Sequence, residues 1–187
     1  MKADAGAIHI SPARPADAQV AALLLYSAYT HIQVTYPPRE DHEPGFVERL
    51  EGYFRQDDNR FSYQCIRVAV HESDVAGLVL SFGGRDEPRL NAAVGSWLAR
   101  EAADDEWYLD ALAVLKHWER RGIGTRLLEA AEREALQRGY AKLALNVAEG
   151  NTPAIALYTR QRFVAVQRTV LYQHPHIRMV KTLDNTG

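Results

Sequence analysis

The sequence predicts a single α/β domain built on a mixed, mostly antiparallel sheet of about six to seven strands with helices on both faces. Three observations lead there. Short apolar runs alternate with segments of helical periodicity along the whole chain. Two pairs of strand-like runs are joined by turn residues alone, at 71–74 and 173–175, which is hairpin connectivity and requires antiparallel neighbours. One apolar run, Tyr108 to Leu115, is uninterrupted except at Asp110 and passes through a polar turn into a helix, as expected of a strand buried on both faces. At 187 residues, 47% apolar and 25% charged, the chain supports one ordinary hydrophobic core. Residues 1–187 read as one domain, with no linker, repeat or low-complexity stretch.

Taken in order, Ala7 to Ser11 forms a first short strand. Pro15 opens a helix with Asp17 in its first turn and Val20, Leu23, Leu24 and Ala28 on one side, running to about Thr30. His31 to His42, with Pro37-Pro38, reads as a loop, and Pro44 starts a second helix whose buried stripe is Phe46, Val47, Leu50 and Phe54. Tyr63 to Val70 and Val75 to Phe82 form a hairpin, closed by Gly83-Gly84. The connection Arg85 to Glu106 is too long to be structureless in a compact domain, and Leu90 to Arg100 is its candidate helix. The central strand Tyr108 to Leu115 follows. After a cationic turn, Lys116 to Arg121, comes a helix with Ile123, Leu127, Leu128, Ala131 and Ala135 on its apolar face and Gly139 beyond its end. Lys142 to Val147 is a strand. Thr152, as N-cap, and Pro153 open a short helix. Val164 to Tyr172 and His176 to Leu183 complete the sheet.

The chemistry concentrates where the central strand meets its helix. The first N–H groups of a helix lack internal partners and carry the positive end of its dipole, so they bind phosphate oxygens, and glycine lets a ligand approach the backbone. Gly122-Ile123-Gly124 stands at that place, with Arg120 and Arg121 beside it. The pattern is not a P-loop, which needs GxxxxGK[ST]. Nor is it a dinucleotide fingerprint, which needs a small residue where Leu127 stands.

Residues 109–128 instead resemble motif A of the GNAT superfamily of acyl-CoA-dependent N-acyltransferases. That motif is a strand ending LxV and a helix opened by [Q/R]xxGx[G/A], matched by Leu112, Val114, Gly122 and Gly124. Glu119 replaces the family's Gln or Arg. Residues 142–163 resemble motif B, through Asn151, Ala154, Leu157, Tyr158 and Phe163, with Arg162 where the family has Gly. The resemblance implies that acetyl-CoA lies where strand 108–115 and strand 142–147 splay apart. Its pantetheine arm would bond the main chain of Leu112, Ala113 and Val114, and its pyrophosphate would rest on Arg120, Arg121, Gly122, Ile123, Gly124 and Thr125. A carboxylate at Glu119 is unfavourable near phosphate, so Arg120 or Arg121 is expected to carry that contact. Asn151 bonds the cofactor arm, caps its helix, or does both.

An amine attacks a thioester only when neutral, and alkylamines ionise near the lysine pKa of about 10, so a base is required. Asp110 is the first candidate, directly or through water, because a carboxylate in so apolar a strand is costly unless it is paired or functional. A structural ion pair is the other reading of Asp110, and Glu106 is the reserve base. In an undistorted strand Asp110 would share a face with Tyr108, Leu112 and Val114. Tyr158 stands where the family's general acid for the departing thiolate stands; the other reading is a packed aromatic. The acceptor wall is expected from Tyr26, Tyr29, His31, Tyr36, Glu40, Asp41 and Glu43, with Asp104, Asp105 and Glu106 adding negative potential, which suits a cationic amine. Small-molecule and peptide amines both satisfy the pattern. A non-catalytic acyl-CoA-binding module is the alternative function.

The remaining features narrow the classes. Net charge is −2 with no lysine-rich run, so no nucleic-acid or anionic-membrane partner is expected. No apolar run approaches a membrane span and the start lacks a signal-peptide pattern, so a cytoplasmic location is expected. The single cysteine, Cys65, reads as a buried structural thiol. His174 and His176 flank Pro175 without a third ligand, so no metal is expected. The last two strands resemble those through which family members pair, and a homodimer is possible.

Overall fold

The computed structural model describes residues 7–31 and 45–184. One seven-stranded sheet runs through the molecule in the order β1-β2-β3-β4-β5-β7-β6. The strands are β1 (His9–Pro12), β2 (Ile66–His71), β3 (Asp74–Gly83), β4 (Trp107–Val114), β5 (Lys142–Ala148), β6 (Val164–Leu171) and β7 (His174–Thr182). The β4–β5 pair alone is parallel and all other neighbours are antiparallel. This is the mixed sheet the sequence predicts.

Among the described residues five α-helices flank the sheet: α1 (Ala18–His31), α2 (Phe46–Arg55), α3 (Glu87–Ala92), α4 (Ile123–Gln137) and α5 (Thr152–Arg160). The apolar faces of α1 and α2 meet one side of the sheet through Leu24, Leu25, Leu50, Phe54, Val68, Leu78 and Leu80. The apolar stripe of α4 meets the other side, where Ile123, Leu127, Leu128 and Ala131 pack on Val79, Leu109 and Leu143. Truncating a fully buried member such as Leu127 to alanine is expected to cost about 2–5 kcal/mol.

Several boundaries differ from the sequence reading, each for a local reason. Tyr63–Cys65 is a 3-10 turn capped by the Ser62 side chain, which accepts from the Gln64 N–H, so β2 starts only at Ile66. The helix in the long connection is α3, not Leu90 to Arg100, because Pro88 sits in its first turn and the chain at Gly95 turns to a φ of 153°. The rest of the connection is held by the Glu87 carboxylate, which accepts from the Glu101 and Ala102 N–H groups at 2.9 Å each. The N-cap of α5 is Asn151, whose Oδ1 accepts from the Ala154 N–H at 3.2 Å; Thr152 is the first helical residue. Gly139 does follow α4 in the left-handed region, at φ 80°. Tyr36, Glu40, Asp41 and Glu43 of the expected acceptor wall lie outside the described residues, as does the side chain of His31.

Candidate active site

The site begins with an irregularity in β4. Leu80 of β3 pairs with Ala111 and Ser81 pairs with Leu109, so Asp110 is an extra residue in its strand. Such a bulge bends the strand and raises its twist. It also resets the alternation of side chains. Tyr108, Ala111 and Ala113 face the α1 side, while Leu109, Leu112 and Val114 face α4. Asp110 therefore does not share a face with Leu112 and Val114, as it would in a regular strand.

Next to the bulge, β4 and β5 part. Their pairing covers only Trp107 with Leu143 and Tyr108 with Ala144. From Leu109 onward the edge of β4 towards β5 has no strand partner, which leaves main-chain groups for a ligand. Gly77 makes the approach on the other edge possible, since a Cβ there would stand 2.7 Å from the Ala113 carbonyl oxygen. The opening is a cleft of about 780 Å³, walled by Asp110 to Lys116, by Asn146 to Ala148, by Leu23, Leu24, Ser27, Ala28 and Tyr29 of α1, and by Asn151, Ala154 and Tyr158; Tyr26, expected in this wall, packs on Phe46 instead.

Of the expected cofactor residues, Leu112, Ala113, Val114, Asn151 and Tyr158 line this cleft. Arg120, Arg121, Gly122, Ile123, Gly124 and Thr125 do not line it; they lie at the start of α4, just after Glu119, which does. The first turn of α4 has no capping side chain and no acidic residue. Gly122 takes φ 75°, and a Cβ there would meet nothing within 4 Å, so the space over the helix start is open. Unpaired N–H groups, the helix dipole and exposed arginines suit a pyrophosphate. Arg121 lies over the Trp118 ring at 4.7 Å, and His71 contacts the same ring at a centroid distance of 4.7 Å.

Tyr158 is buried and contacts Phe163 edge-on, at a centroid distance of 5.6 Å. Burial pushes its phenol well above the usual tyrosine range, so it stays protonated through neutral pH. Its hydroxyl makes no hydrogen bond to any described residue. A protonated phenol that lines the cleft can donate a proton there.

Asp110 has a different setting. Its Oδ1 accepts from Arg60 Nη2 at 2.6 Å, and its Oδ2 accepts from Arg60 Nε at 3.1 Å and from the Tyr29 hydroxyl at 2.9 Å. Arg60 is fully buried. It also donates to Glu101 Oε1 at 2.8 Å and to Asn91 Oδ1 at 3.1 Å, and approaches Glu87 at 3.6 Å. Glu101 in turn accepts from the Tyr108 hydroxyl at 2.6 Å and the Tyr172 hydroxyl at 3.1 Å. The Tyr108 hydroxyl accepts from Asn146 Nδ2 at 3.0 Å. Asn146 Oδ1 is buried without a partner, a loss of about 1–3 kcal/mol unless something donates to it. Burial and the neighbouring carboxylates hold the Tyr29 and Tyr108 phenols well above the usual range.

Glu106, the reserve base, is absent from the cleft. It accepts from the Ala103 N–H and is tied to Arg178. Asp104 and Asp105 are exposed, pair with Arg100 and Lys142 and do not line the cleft. Cys65, expected to be buried, is half-buried, and desolvation pushes its thiol up to about 12, which keeps it protonated. Among the described residues no group of three His, Cys, Asp or Glu side chains is placed to hold a metal. No described helix is long and apolar enough to cross a membrane.

The model of the acetyltransferase (GNAT) family matches residues 25–163. The chain belongs to this family. A mycothiol acetyltransferase from Jonesia denitrificans is 37% identical over 79 residues, which cover 42% of this chain and 25% of that protein. The match thus spans a quarter of that relative's length. An N-acetyltransferase from Staphylococcus aureus Mu50 superposes with a TM-score of 0.78 at 26% identity, covering 92% of this chain and 100% of that one. A PaiA N-acetyltransferase from Thermoplasma acidophilum, in complex with coenzyme A, shares the fold with a TM-score of 0.60 at 15% identity, covering 94% and 99%.

Two departures from the GNAT motifs acquire a physical description. Arg162 stands at φ 67°, the region in which glycine is unstrained and another residue costs about 1 kcal/mol. Glu119 faces the cleft and makes no salt bridge within 4.0 Å among the described residues. What the GNAT motifs did not contain is the polar set Arg60, Glu87, Glu101 and Asn146, of which Arg60 and Glu87 are fully buried. A buried arginine leaves no periodic trace in a sequence. The polar Asn146 within an apolar strand was the one available signal.

Proposed function

We propose that this GNAT protein is an N-acetyltransferase that moves the acetyl group of acetyl-CoA to a primary amine, by direct transfer with both substrates bound. The observation that carries the reading is one cleft lined by free β4 backbone, by a protonated, unpartnered Tyr158 and by Asp110. Bound acetyl-CoA supplies an activated acetyl thioester. The main chain of Leu112 to Val114 holds the arm and orients it along β4. The α4 start, from Arg120 to Thr125, holds the pyrophosphate. Asp110, fixed by Arg60 and Tyr29, takes the proton of the acceptor ammonium through a water. Tyr158 delivers a proton to the leaving sulfur. Cys65, half-buried and outside the cleft lining, offers no covalent relay, which supports direct transfer.

Small-molecule and peptide amines both fit the reading. A homodimer belongs to it as well: β6 is an edge strand, and Val164, Val166 and Val170 on it are exposed.

The test is calorimetry with acetyl-CoA followed by thiol release with putrescine, benzylamine, trialanine and further amines. Binding with amine-dependent thiol release is the expected outcome. Binding without release from any amine would favour a non-catalytic acyl-CoA-binding module. Absence of binding would overturn the assignment of the cleft.

A further inference from the structure

The turn that closes the last hairpin is built from residues that do not suit its shape. Leu171 pairs with His174, so β6 and β7 are joined by two residues alone, and both stand in the left-handed region, Tyr172 at φ 50° and Gln173 at φ 67°. A two-residue turn of this kind follows the twist of its strands and takes Asn, Asp or Gly at those places. A tyrosine and a glutamine are strained there. Local preference therefore does not account for Tyr172, and strain that persists in a fold is held by contacts made elsewhere.

Those contacts are made by the hydroxyl. It accepts from the Ala99 N–H at 3.2 Å and, having one proton, donates it to Glu101 Oε1 at 3.1 Å. Both partners lie in the stretch 93–106 between α3 and β4, which forms neither helix nor strand. That stretch is held from outside. The Ala99 carbonyl accepts from Asn91 Nδ2 at 3.3 Å, the Glu101 and Ala102 N–H groups donate to the Glu87 carboxylate, and the Glu101 carbonyl accepts from Arg178 Nη1 at 2.9 Å. Together with Tyr172 these bonds fix the place of Glu101.

Glu101 shares a donor with Asp110. Arg60 Nη2 carries two hydrogens, and two carboxylate oxygens lie within bonding distance of it: Glu101 Oε1 at 2.8 Å and Asp110 Oδ1 at 2.6 Å. The planar guanidinium turns as one piece. The angle at which it meets Asp110, through Nη2 and through Nε at 3.1 Å, therefore depends on where Glu101 draws it. Tyr172 does not line the cleft, whereas Asp110 does. Three contacts lead from the hairpin tip to the carboxylate in the cleft: Tyr172 to Glu101, Glu101 to Arg60, and Arg60 to Asp110.

We infer that Tyr172 is a positioning residue for acetyl transfer: by holding Glu101 it sets the aim of Arg60, and so of the Asp110 carboxylate that receives the acceptor's proton. This rests on the acetyl-transfer reading and adds to it a control from outside the cleft. Without the hydroxyl, Glu101 keeps Arg60 and Tyr108 as donors but loses its tie to the hairpin, and Asp110 is held at a poorer angle to the water that carries the proton. The loss falls on turnover and not on cofactor binding.

The experiment uses the whole protein with acetyl-CoA and whichever of putrescine, benzylamine and trialanine it acetylates fastest. Tyr172→Phe keeps the ring and the turn and removes the hydroxyl alone. It is expected to lower kcat about fivefold, with acetyl-CoA affinity by calorimetry within about twofold of wild type. Glu101→Gln takes away the charge that draws Arg60 and should lower kcat by a similar factor or more. In the double variant the two losses should not multiply, because they act through one side chain. Gln173→Gly is the control within the same turn. It relieves the neighbouring strained position without touching Glu101, and should leave kcat unchanged while the thermal midpoint does not fall. Independently of turnover, the Arg60 Nε–H resonance in a proton–nitrogen correlation spectrum should move in Tyr172→Phe and keep its place in Gln173→Gly.

An unchanged kcat in Tyr172→Phe overturns the inference, as does a double variant whose losses multiply. A lower thermal midpoint in Tyr172→Phe with kcat and the Arg60 resonance unchanged assigns the hydroxyl a structural role instead. An equal loss of kcat in Gln173→Gly would place the effect in the turn's backbone and not in the bond to Glu101. Failure of wild type to acetylate any of the three amines while it binds acetyl-CoA brings down the transferase reading for these acceptors, and this inference with it. Turnover that ignores Tyr172 brings down the inference alone.

Discussion

The two walls of the cleft are built on opposite plans. The wall proposed for the cofactor is backbone: an unpaired strand edge at Leu112 to Val114, with the open first turn of α4 beyond the cleft itself. Its β4 residues are consecutive, and their side chains alternate between the two faces of the sheet. The wall proposed for the acceptor is side chain: Tyr29, Asp110 and Asn146 line it, and Arg60, Glu101 and Tyr108 join them into one hydrogen-bonded set. A wall of main chain binds any ligand with the right pattern of donors and tolerates many sequences. A wall of buried charges is specific and brittle, because each member is satisfied by the others.

The largest expected effect tests that brittleness. Arg60→Met leaves Glu87, Glu101 and Asp110 facing one another without their shared cation. Removing one partner of a buried ion pair costs about 3–5 kcal/mol, so urea unfolding should show a loss of at least that size. Retained stability would mean that the wall is not held by charge.

Tyr158 joins the walls, and its removal separates catalysis from binding. Tyr158→Phe is expected to lower kcat about 100-fold, within the range for loss of a general acid, and to leave acetyl-CoA affinity within about twofold by calorimetry. The pH profile gives the sign. The phenol's pKa is raised by burial, so the donor is present throughout the neutral range. Its loss should appear only as an alkaline fall, above the ordinary tyrosine pKa of about 10. A fall centred near neutrality that disappears in the Phe variant would contradict this assignment.

On the cofactor wall the effects are smaller. Gly122→Ala places a side chain at φ 75°, at a cost of about 1–2 kcal/mol, and fills the open space above the helix start. Thermal melting should fall by a few degrees and acetyl-CoA binding should weaken about tenfold. Weaker stability with unchanged affinity would move the pyrophosphate away from this turn. The smallest change expected is a gain. Glu119→Gln removes a carboxylate from the mouth of the cleft and should tighten acetyl-CoA binding about twofold to fivefold at low salt, less at high salt.

The same contrast decides what was legible beforehand. The strand, turn and helix from Leu109 to Leu128 could be read because their periods, glycines and helix start are local, and the motif after Asn151 for the same reason. Asp110 was visible as a charge out of place, but not its fork with Arg60, since nothing in fifty residues of separation marks the two as neighbours. The parity argument for Asp110 failed at a bulge, which is a property of pairing with β3 and not of the strand's own residues. Glu106 and Glu101 are equally acidic in sequence. Only the path of the chain after Glu87, whose carboxylate captures the Glu101 and Ala102 N–H groups, turns one to Arg178 and the other to Arg60.

By itself, the sequence determined the family, the order of strands and helices, the glycine-led start of α4 and the tyrosine that lines the cleft, because these follow from short-range periodicity, glycine placement and local motifs. Tertiary structure alone decided which carboxylates are engaged, which way the Asn146 amide points and where β4 and β5 part. Those outcomes depend on donors and acceptors that meet only once distant segments are packed, and each polar group is then assigned its direction by the groups around it.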